Sequence, residues 1–212
     1  MEALLPKIDA VLKRIGVNSE IVVVDGGSTD GTPEAAVSLG ARVVRQTERG
    51  YGGAILAGLQ AVNSPWVLTM DADQSHPPAV IEQLWNARSK GDLILGSRFM
   101  PGGSAEMKRL RYLLSRILNL TFTALLRVPV RDLSTGCRLY RREALEGLTF
   151  RARDFNIVQE MAVTLYLRGA KLHEIPLHYA PRAAGQSHAQ IFAFGLRYLR
   201  TLGQLFVRRY LS

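Results

Sequence analysis

The sequence predicts an α/β fold in which helices cover both faces of a doubly wound, mostly parallel sheet. Strand and helix patterns alternate over residues 4–95, which is the arrangement that parallel strands with helical crossovers require. The chain has 212 residues, 47% of them hydrophobic, so it is long enough for one large domain and short for two. Its one cysteine, Cys137, excludes an internal disulfide framework and a multi-cysteine zinc module, and fits a reducing compartment.

The elements of the first half follow from residue spacing and from stop signals. Apolar residues recur at helical spacing over 4–15, and Gly16 ends that helix. The β-branched run 20–24 predicts a buried strand that stops at Asp25. Thr32 and Pro33 open the next helix as its cap and its first residue. The pattern then predicts a strand over 41–44, a helix over 53–62, a strand over 65–70, a helix over 77–89 and a strand over 92–95.

Two long basic helices are predicted in the second half, over 107–128 and 191–211. Each is amphipathic and roughly 20 residues long, which is typical of helices that lie in a membrane interface. The alternative is that each helix packs its apolar side on the core, and the residues leave both interpretations open. The predicted apolar stripes are Leu110, Leu113, Leu114, Ile117, Leu118, Thr121 and Leu125 in the first helix, and Ile191, Phe194, Tyr198, Leu202 and Leu205 in the second.

The formal net charge of +9 is concentrated in two segments. Residues 107–131 contain six basic residues and no acid, and five arginines with no acid follow Glu174. The rest of the chain is therefore close to neutral. Such segments suit nucleic acid, an anionic membrane surface or a phosphorylated substrate. Leucine-rich faces without interleaved exposed aromatics argue against nucleic acid. No run approaches the ~18 apolar residues of a membrane-spanning helix, and a signal-peptide pattern is absent from residues 1–20.

Two acidic segments follow predicted strands, at Asp25-Gly26-Gly27 and at Asp71-Ala72-Asp73. In doubly wound sheets, ligands bind outside the carboxyl ends of the strands. Because Asp71 and Asp73 flank one small residue, a loop can direct both carboxylates at one point, which is how Mg²⁺ or Mn²⁺ is held beside substrate phosphates. A lone pair of this kind also fits an ordinary turn. His76 is predicted to be a structural turn residue.

The motifs in this order resemble glycosyltransferase family 2 of the GT-A fold. Within the family they are most similar to polyprenol-phosphate (dolichol-phosphate) mannosyltransferases and their bacterial glycosyl relatives. The motifs run from about Glu20 to Ser187. Taken together they are specific for the family, although each motif alone has only modest specificity. The motifs are Val-Val-Asp-Gly-Gly-Ser-Thr-Asp-Gly-Thr at 23–32, Gly-Tyr-Gly-Gly-Ala at 50–54, Asp-Ala-Asp-x-Ser-His-Pro-Pro at 71–78, Gly-Ser-Arg at 96–98, Asp-Leu-Ser-Thr-Gly-Cys-Arg at 132–138, Gln-Glu-Met at 159–161 and Arg-x-x-Gly-x-Ser at 182–187.

The resemblance implies a nucleotide-sugar donor, a divalent cation (Mg²⁺ or Mn²⁺) and a lipid phosphate acceptor. Asp73 and Arg98 would be catalytic. Asp71, Asp73 and Ser75 would hold the metal, Ser75 standing where relatives often place a metal-facing Gln. His188 stands where relatives usually carry a lysine, and a neutral imidazole is a weaker partner for an anion. The donor-binding residues would be Val23, Asp25, Asp71, Ala72, Asp73, Gln74, Arg98, Arg182 and His188. A lone arginine at 98 or 182 would also fit a surface ion pair.

The chemistry of the acceptor follows from charge. A phosphate is already anionic and attacks the anomeric carbon without a general base, whereas a hydroxyl acceptor needs one. The family's motif for hydroxyl acceptors, Gln-x-x-Arg-Trp, is missing from the second half, which favours a phosphate acceptor and in-line attack with inversion. The acceptor-phosphate candidates are Ser134, Arg138 and Arg116, with Gln159 and Glu160 near the sugar. Ser134 with Thr135 also fits a cap or turn, and Glu160 a solvated helix position.

We therefore expect one GT-A domain over 1–212, with a nucleotide-sugar-binding half over 17–100, an acceptor half over 101–190 and a C-terminal amphipathic helix over 191–212. The expected enzyme is peripheral on the cytoplasmic face of a membrane and uses GDP-mannose, or UDP-glucose as the second candidate, with no nucleic-acid partner. The family's chain opens with a strand leading into Pro-x-Tyr-Asn-Glu, so the resemblance implies that this first strand is missing. The alternatives are a hydroxyl (polysaccharide) acceptor and a truncated, inactive subunit that binds nucleotide sugar.

Overall fold

The computed structural model describes residues 1–181 and 191–211, the segment 191–196 by its backbone. Strands and helices alternate through the first half as the sequence predicts. The strands are β1 (Val22–Asp25), β2 (Arg42–Arg45), β3 (Trp66–Thr69), β4 (Leu93–Ser97), β5 (Ser104–Ala105), β6 (Arg138–Arg141), β7 (Leu172–Pro176) and β8 (His178–Tyr179). The helices are α1 (Leu5–Ile15), α2 (Thr32–Ser38), α3 (Tyr51–Ala61), α4 (Val80–Asn86), α5 (Arg109–Leu126), α6 (Arg142–Leu145), α7 (Ile157–Leu167) and α8 (Ile191–Tyr210), with a 3₁₀ turn at Arg88–Lys90.

The strands of the described residues form a four-stranded sheet and two small parallel pairs. The large sheet has the order β3-β6-β4-β7, in which β4 and β7 are parallel and β6 runs antiparallel between β3 and β4. β1 pairs with β2, and β5 with β8, both in parallel. The predicted α/β fold is confirmed, but the large sheet is mixed: both pairings of β6 are antiparallel and the β4–β7 pairing is parallel. The alternation of strands and helices did not predict β6.

The large core lies around β4, β6 and α7. All five residues of β4 are buried because strands flank it on both edges and helices cover its faces. Helices α5 and α8 close this core with Phe122, Leu126, Leu202 and Leu205. A much smaller cluster of three buried residues, Leu5, Ala36 and Ala41, lies beside β1 and β2, where Ile21, Val23 and Val43 pack against it.

The two long basic helices expose different faces. In α8 the predicted stripe packs inward at Leu202 and Leu205, as the core-packing alternative requires. In α5 the inward face consists of Asn119, Phe122 and Leu126 instead. Most of the predicted stripe of α5 is therefore on the surface, at Leu110, Leu113, Leu114, Ile117 and Leu125, together with Leu120. Among the helices described, none combines the length and the apolar character needed to span a bilayer.

Candidate active site

The carboxylate of Asp25 shapes the loop that follows β1. It accepts hydrogen bonds from the backbone N–H groups of Gly27, at 2.8 Å, and of Ser28, at 3.1 Å to the same oxygen. Gly27 has a φ of +98°, a left-handed conformation that a glycine adopts without strain. The hydrogen bonds from the Ser28 side chain and from the Gly27 backbone lower the pKa of Asp25, so its carboxylate is ionised at neutral pH.

The second acidic loop follows β3 and is closed by its own side chains. Asp73 Oδ1 accepts hydrogen bonds from the backbone N–H of Ser75, at 3.0 Å, and from its hydroxyl, at 2.5 Å. Gln74 turns the chain with a φ of 63°. Asp71 Oδ1 accepts a hydrogen bond of 2.8 Å from the hydroxyl of Tyr51. The two carboxylates are thus held by different parts of the chain.

His76 holds this loop from inside, as predicted for a structural turn residue. Its ring is buried, and Nδ1 accepts a hydrogen bond of 3.3 Å from the backbone N–H of Asp71. Burial is the main cause that lowers the pKa of His76, so the imidazole is neutral at pH 7, with its proton on Nε2. The edge of its ring meets Tyr179 at a centroid distance of 5.8 Å.

Contacts through the start of α3 connect the two acidic loops. The Gln46 side chain donates hydrogen bonds to the carbonyls of Glu48 and of Gly50, the latter at 2.6 Å. It also lies so close to Gly26 that a Cβ there would be 3.0 Å from Gln46 Oε1. The next residue after Gly50 is Tyr51, which reaches Asp71. Through Gln46 and Tyr51, the start of α3 therefore connects to both acidic loops. That the two loops form one ligand site stays a prediction.

The donor groups of this site fit a hard divalent cation. Asp71, with 22% of its side-chain surface exposed, and the half-buried Asp73 supply carboxylate oxygens, which Mg²⁺ and Mn²⁺ prefer. No group of three or more His, Cys, Asp or Glu side chains suited to a metal occurs in the described part of the chain, so the other ligands would be substrate phosphates and water. Ser75, the third predicted metal ligand, is buried and its hydroxyl donates to Asp73, so its role at the metal stays a prediction.

Arg98, predicted to contact phosphate, forms a buried ion pair with Asp132. Its Nε and Nη2 donate to the two Asp132 oxygens at 2.7 and 2.9 Å, and its backbone N–H donates at 3.1 Å. Burial alone would raise the pKa of Asp132, but the attraction and hydrogen bonds of Arg98 prevail and lower it. Arg98 is only 8% exposed, so any phosphate contact would use the small part of its guanidinium that Asp132 leaves accessible.

Ser134 belongs to the same polar network. Its hydroxyl accepts hydrogen bonds from Arg98 Nη2, at 2.6 Å, and from Asn119 Nδ2, at 2.8 Å, and donates to Asp132 Oδ1 at 3.0 Å. Asn119 Oδ1 accepts from the backbone N–H of Leu133 at 2.7 Å. Sequence reasoning missed Asn119, whose only signal is a polar residue on the inward side of α5. Arg116, three positions before it, is exposed.

The predicted phosphate contact of Arg138 is wrong for this arrangement. Arg138 has no exposed surface, and its guanidinium donates to three backbone carbonyls, those of Leu133, Thr135 and Val158. Arg138 therefore fixes the loop 133–137, which joins Asp132 to β6.

Glu160 is not a solvated helix residue, because it accepts hydrogen bonds from the backbone N–H groups of Arg151 and Ala152. Gln159 is buried beside Tyr198, the pKa of which burial raises to about 12. Neither residue is shown near a sugar.

The remaining predicted donor-site residues have simple placements. Val23 packs against the small cluster beside β1, and Ala72 is exposed in the loop after β3. Arg182 and His188 lie outside the described residues.

Comparison with known proteins shows which family the chain resembles. The family model described as glycosyl transferase family 2 matches residues 2–149. The glycosyltransferase AglJ of Haloferax volcanii is 34% identical over 169 residues, which are 79% of this chain and 56% of that protein. The dolichol-phosphate mannosyltransferase of Pyrococcus furiosus is 34% identical over 88% of this chain and 54% of its own length. The polyprenol monophosphomannose synthase of Mycolicibacterium smegmatis is 34% identical over 79% and 69%.

Solved structures share the fold at lower identity. Glucosyl-3-phosphoglycerate synthase from Mycobacterium tuberculosis, crystallised with Mn²⁺, UDP and phosphoglyceric acid, superimposes with a TM-score of 0.76 at 22% identity, over 97% of this chain and 73% of that one. The chain spans little more than half the length of AglJ and of the Pyrococcus enzyme. The motifs, the fold and these matches together show that the chain belongs to glycosyltransferase family 2 and has its GT-A fold.

Proposed function

We propose that this protein transfers a hexose from a nucleotide-diphosphate sugar to a polyprenyl or dolichyl phosphate, with inversion at the anomeric carbon. The observation that carries the proposal is that the start of α3 connects to both acidic loops: Tyr51 donates to Asp71, and Gln46, which binds Gly50, lies against Gly26. Relatives named dolichol-phosphate mannosyltransferase and polyprenol monophosphomannose synthase support a lipid phosphate acceptor and favour mannose, hence GDP-mannose as donor. UDP-glucose is the second candidate, since the fold neighbour is a glucosyl transferase crystallised with UDP.

In this proposal Asp71 and Asp73 hold Mg²⁺ or Mn²⁺. When bound, the cation stabilises the negative charge that develops on the departing nucleoside diphosphate. Asp25 faces the nucleoside, and its low pKa keeps it a hydrogen-bond acceptor throughout the neutral range. The Asp73 carboxylate is preset by two hydrogen bonds from Ser75, so little reorganisation is required when a ligand arrives.

An acceptor phosphate needs cations around it rather than a base. Arg116 on α5 is exposed, and its helix contributes Asn119 to the Arg98–Asp132–Ser134 network. We assign Arg116 to the acceptor phosphate and Arg98 to the edge of the phosphate-binding region, with Ser134 orienting Arg98. Because Asp132 already balances the charge of Arg98, Arg98 supplies hydrogen-bond donors more than net charge.

The lipid acceptor also requires a membrane surface, and α5 has the chemistry for one. Its exposed side combines leucines with Arg109, Arg111 and Arg116. Apolar side chains can enter the acyl boundary while arginines contact anionic headgroups. We therefore place the enzyme peripherally on a membrane, on its cytoplasmic face, where nucleotide sugars and anionic lipids meet.

The test is transfer from radiolabelled GDP-mannose and UDP-glucose to polyprenyl phosphate with Mn²⁺. We expect a lipid-linked product that mild acid releases, because the link is a phosphoester.

Asp73→Asn keeps the shape of the side chain and should lower kcat by about a hundredfold or more, while the melting temperature stays within a few degrees. A product stable to mild acid would indicate a hydroxyl acceptor. Calorimetric binding of nucleotide sugar without turnover would indicate a binding subunit, and full activity of Asp73→Asn would refute the metal role.

A further inference from the structure

Tyr51, the first residue of α3, connects the carboxylate of Asp71 to a segment that is distant in sequence, residues 152–155. Its hydroxyl donates a hydrogen bond of 2.8 Å to Asp71 Oδ1. Its ring stacks on Phe155, with centroids 4.5 Å apart and planes inclined by 14°. Phe155 belongs to the segment that leads into α7, which carries the core of the second half. One side chain therefore contacts both an acidic loop residue and the second half of the chain.

The direction of the hydrogen bond is fixed by charge. The phenol carries the proton of this contact and donates it to the carboxylate oxygen, which accepts. A hydrogen bond from a neutral donor to an ionised acceptor is among the stronger kinds in proteins.

The backbone around Tyr51 is built so that this contact can form. A Cβ on Gly136 would overlap the Tyr51 hydroxyl and lie 2.8 Å from Asp71 Oδ1, so only glycine leaves room for the pair. Side chains at Gly50 and Gly52 would likewise meet the backbone of Arg153. The N–H of Gly52 donates to the Arg153 carbonyl at 3.0 Å. The start of α3 is thus seated directly on residues 152–155.

The other contacts of Asp71 leave its carboxylate dependent on Tyr51. Its backbone N–H is bound to His76 Nδ1, which fixes the main chain. Its Oδ2 lies 4.0 Å from His76 Nε2, beyond hydrogen-bond distance, and the side chain is 22% exposed. In the described part of the chain the carboxylate accepts its side-chain hydrogen bond from Tyr51, on Oδ1, so this bond orients the carboxylate while Oδ2 can bind a ligand.

We propose that Tyr51 is a positioning residue: its hydroxyl orients Asp71 for the metal and diphosphate, and its stacking on Phe155 couples that orientation to segment 152–155. This inference rests on the proposed function, because it assigns a partner to the carboxylate that would hold the cation. It adds a residue that acts through Asp71 and does not itself touch substrate.

The first experiment compares wild type with Tyr51→Phe, which keeps the stacked ring and removes the hydroxyl. We expect the Mn²⁺ concentration for half-maximal activity, and the calorimetric Kd for Mn²⁺ in the presence of nucleoside diphosphate, to rise about tenfold to a hundredfold. The Kd for nucleoside diphosphate without metal should not change. Tyr140→Phe is the control, because Tyr140 is another buried tyrosine of the same core, placed on β6 between β3 and β4.

The second experiment tests the coupling through the ring. Phe155→Leu removes the stacking partner and should raise the Mn²⁺ requirement to a smaller extent than Tyr51→Phe. In the double variant the rise should be no larger than in Tyr51→Phe alone, because Phe155 acts on Asp71 through Tyr51. Multiplicative effects of the two changes would show that Phe155 acts independently and would overturn the coupling.

The outcomes separate this inference from the proposed function. If wild type makes lipid-linked product but Tyr51→Phe shows the same Mn²⁺ dependence as Tyr140→Phe, the positioning role is overturned and the proposed function stands. A lower melting temperature of Tyr51→Phe with an unchanged Kd for Mn²⁺ also overturns the positioning role, because it shows a purely structural one. A wild-type protein that neither binds Mn²⁺ nor transfers sugar overturns both.

Discussion

The four-stranded sheet that contains β4 and the small sheet formed by β1 and β2 are stabilised in different ways. Every residue of β4 is buried between two neighbouring strands, and the cluster around it includes α5, α7 and α8. β1 has one buried residue, Asp25, and β2 has none. The small cluster beside them contains only three fully buried side chains. Apolar burial therefore dominates one region, while local polar contacts shape the other.

The difference separates stability from ligand binding. In the large sheet and the loops next to it, even the charged residues Arg98, Asp132 and Arg138 are buried and bound to neighbours, so substitutions there remove stability first. In the acidic loops the carboxylates bind N–H and hydroxyl groups of their own loops or of Tyr51. Substitutions in these loops should alter binding and catalysis while the fold persists.

The largest effect on stability should come from Asp132→Ala. The variant leaves the buried guanidinium of Arg98 without its counter-ion, which costs about 3–5 kcal/mol of unfolding free energy. Urea denaturation followed by circular dichroism measures this loss. The control is Asp9→Ala, which breaks an exposed pair with Lys13 and should cost less than about 1 kcal/mol.

The same pair predicts a pH dependence. Because the pKa of Asp132 is lowered in the folded protein, its stabilisation is fully present above the unfolded value of about 3.9 and is lost as the pH falls through the folded value. The difference between wild type and Asp132→Ala should therefore shrink in acid. A difference that stays constant between neutral pH and pH values near 3 would mean that the ion pair is not its source.

A smaller contrast is expected between two apolar truncations. Leu95→Ala removes a fully buried side chain from β4 and should cost about 2–5 kcal/mol. Val23→Ala removes a half-buried side chain from β1 and should cost about 1 kcal/mol. Chemical denaturation of both variants gives the two values. Equal losses would show that the β1–β2 region is packed as firmly as the large sheet.

Alternating patterns predicted most elements of the first half, because each follows from local sequence. The strand predicted over 20–24 is Val22–Asp25, and the helix predicted over 53–62 is Tyr51–Ala61. The strands β6 and β7 were not predicted. β6 is a four-residue segment with charged ends that becomes a central strand only because β3 and β4 flank it. Its pairing depends on residues 43–75 positions away, which no local pattern reveals.

Local sequence patterns were limited in the same way for the candidate site. The acidic motifs after β1 and β3 predicted where Asp25, Asp71 and Asp73 lie, because a motif directly after a strand lies at that strand's carboxyl end. The partners of charged residues could not be found in this way. Asp132 neutralises Arg98 from 34 positions away, and Tyr51 reaches Asp71 across 20. These pairings depend on tertiary packing, which also turned Arg138 from a predicted ligand contact into a buried support.

The two halves also differ in their exposed apolar residues, and this gives the smallest predicted effect on stability. Leu113 and Ile117 of α5 are 53% and 52% exposed, so the double variant Leu113→Gln, Ile117→Gln should keep the stability of wild type. Each of the two substitutions removes apolar area that would enter a lipid boundary. Binding to vesicles with anionic lipid should therefore weaken about tenfold per side chain. Val37 on α2 is 60% exposed but belongs to the other half, and Val37→Gln should bind vesicles as wild type does. A different result would point to a second copy of the chain. In that case the double variant floats with vesicles like wild type, but sedimentation shows that wild type is a dimer and the double variant a monomer.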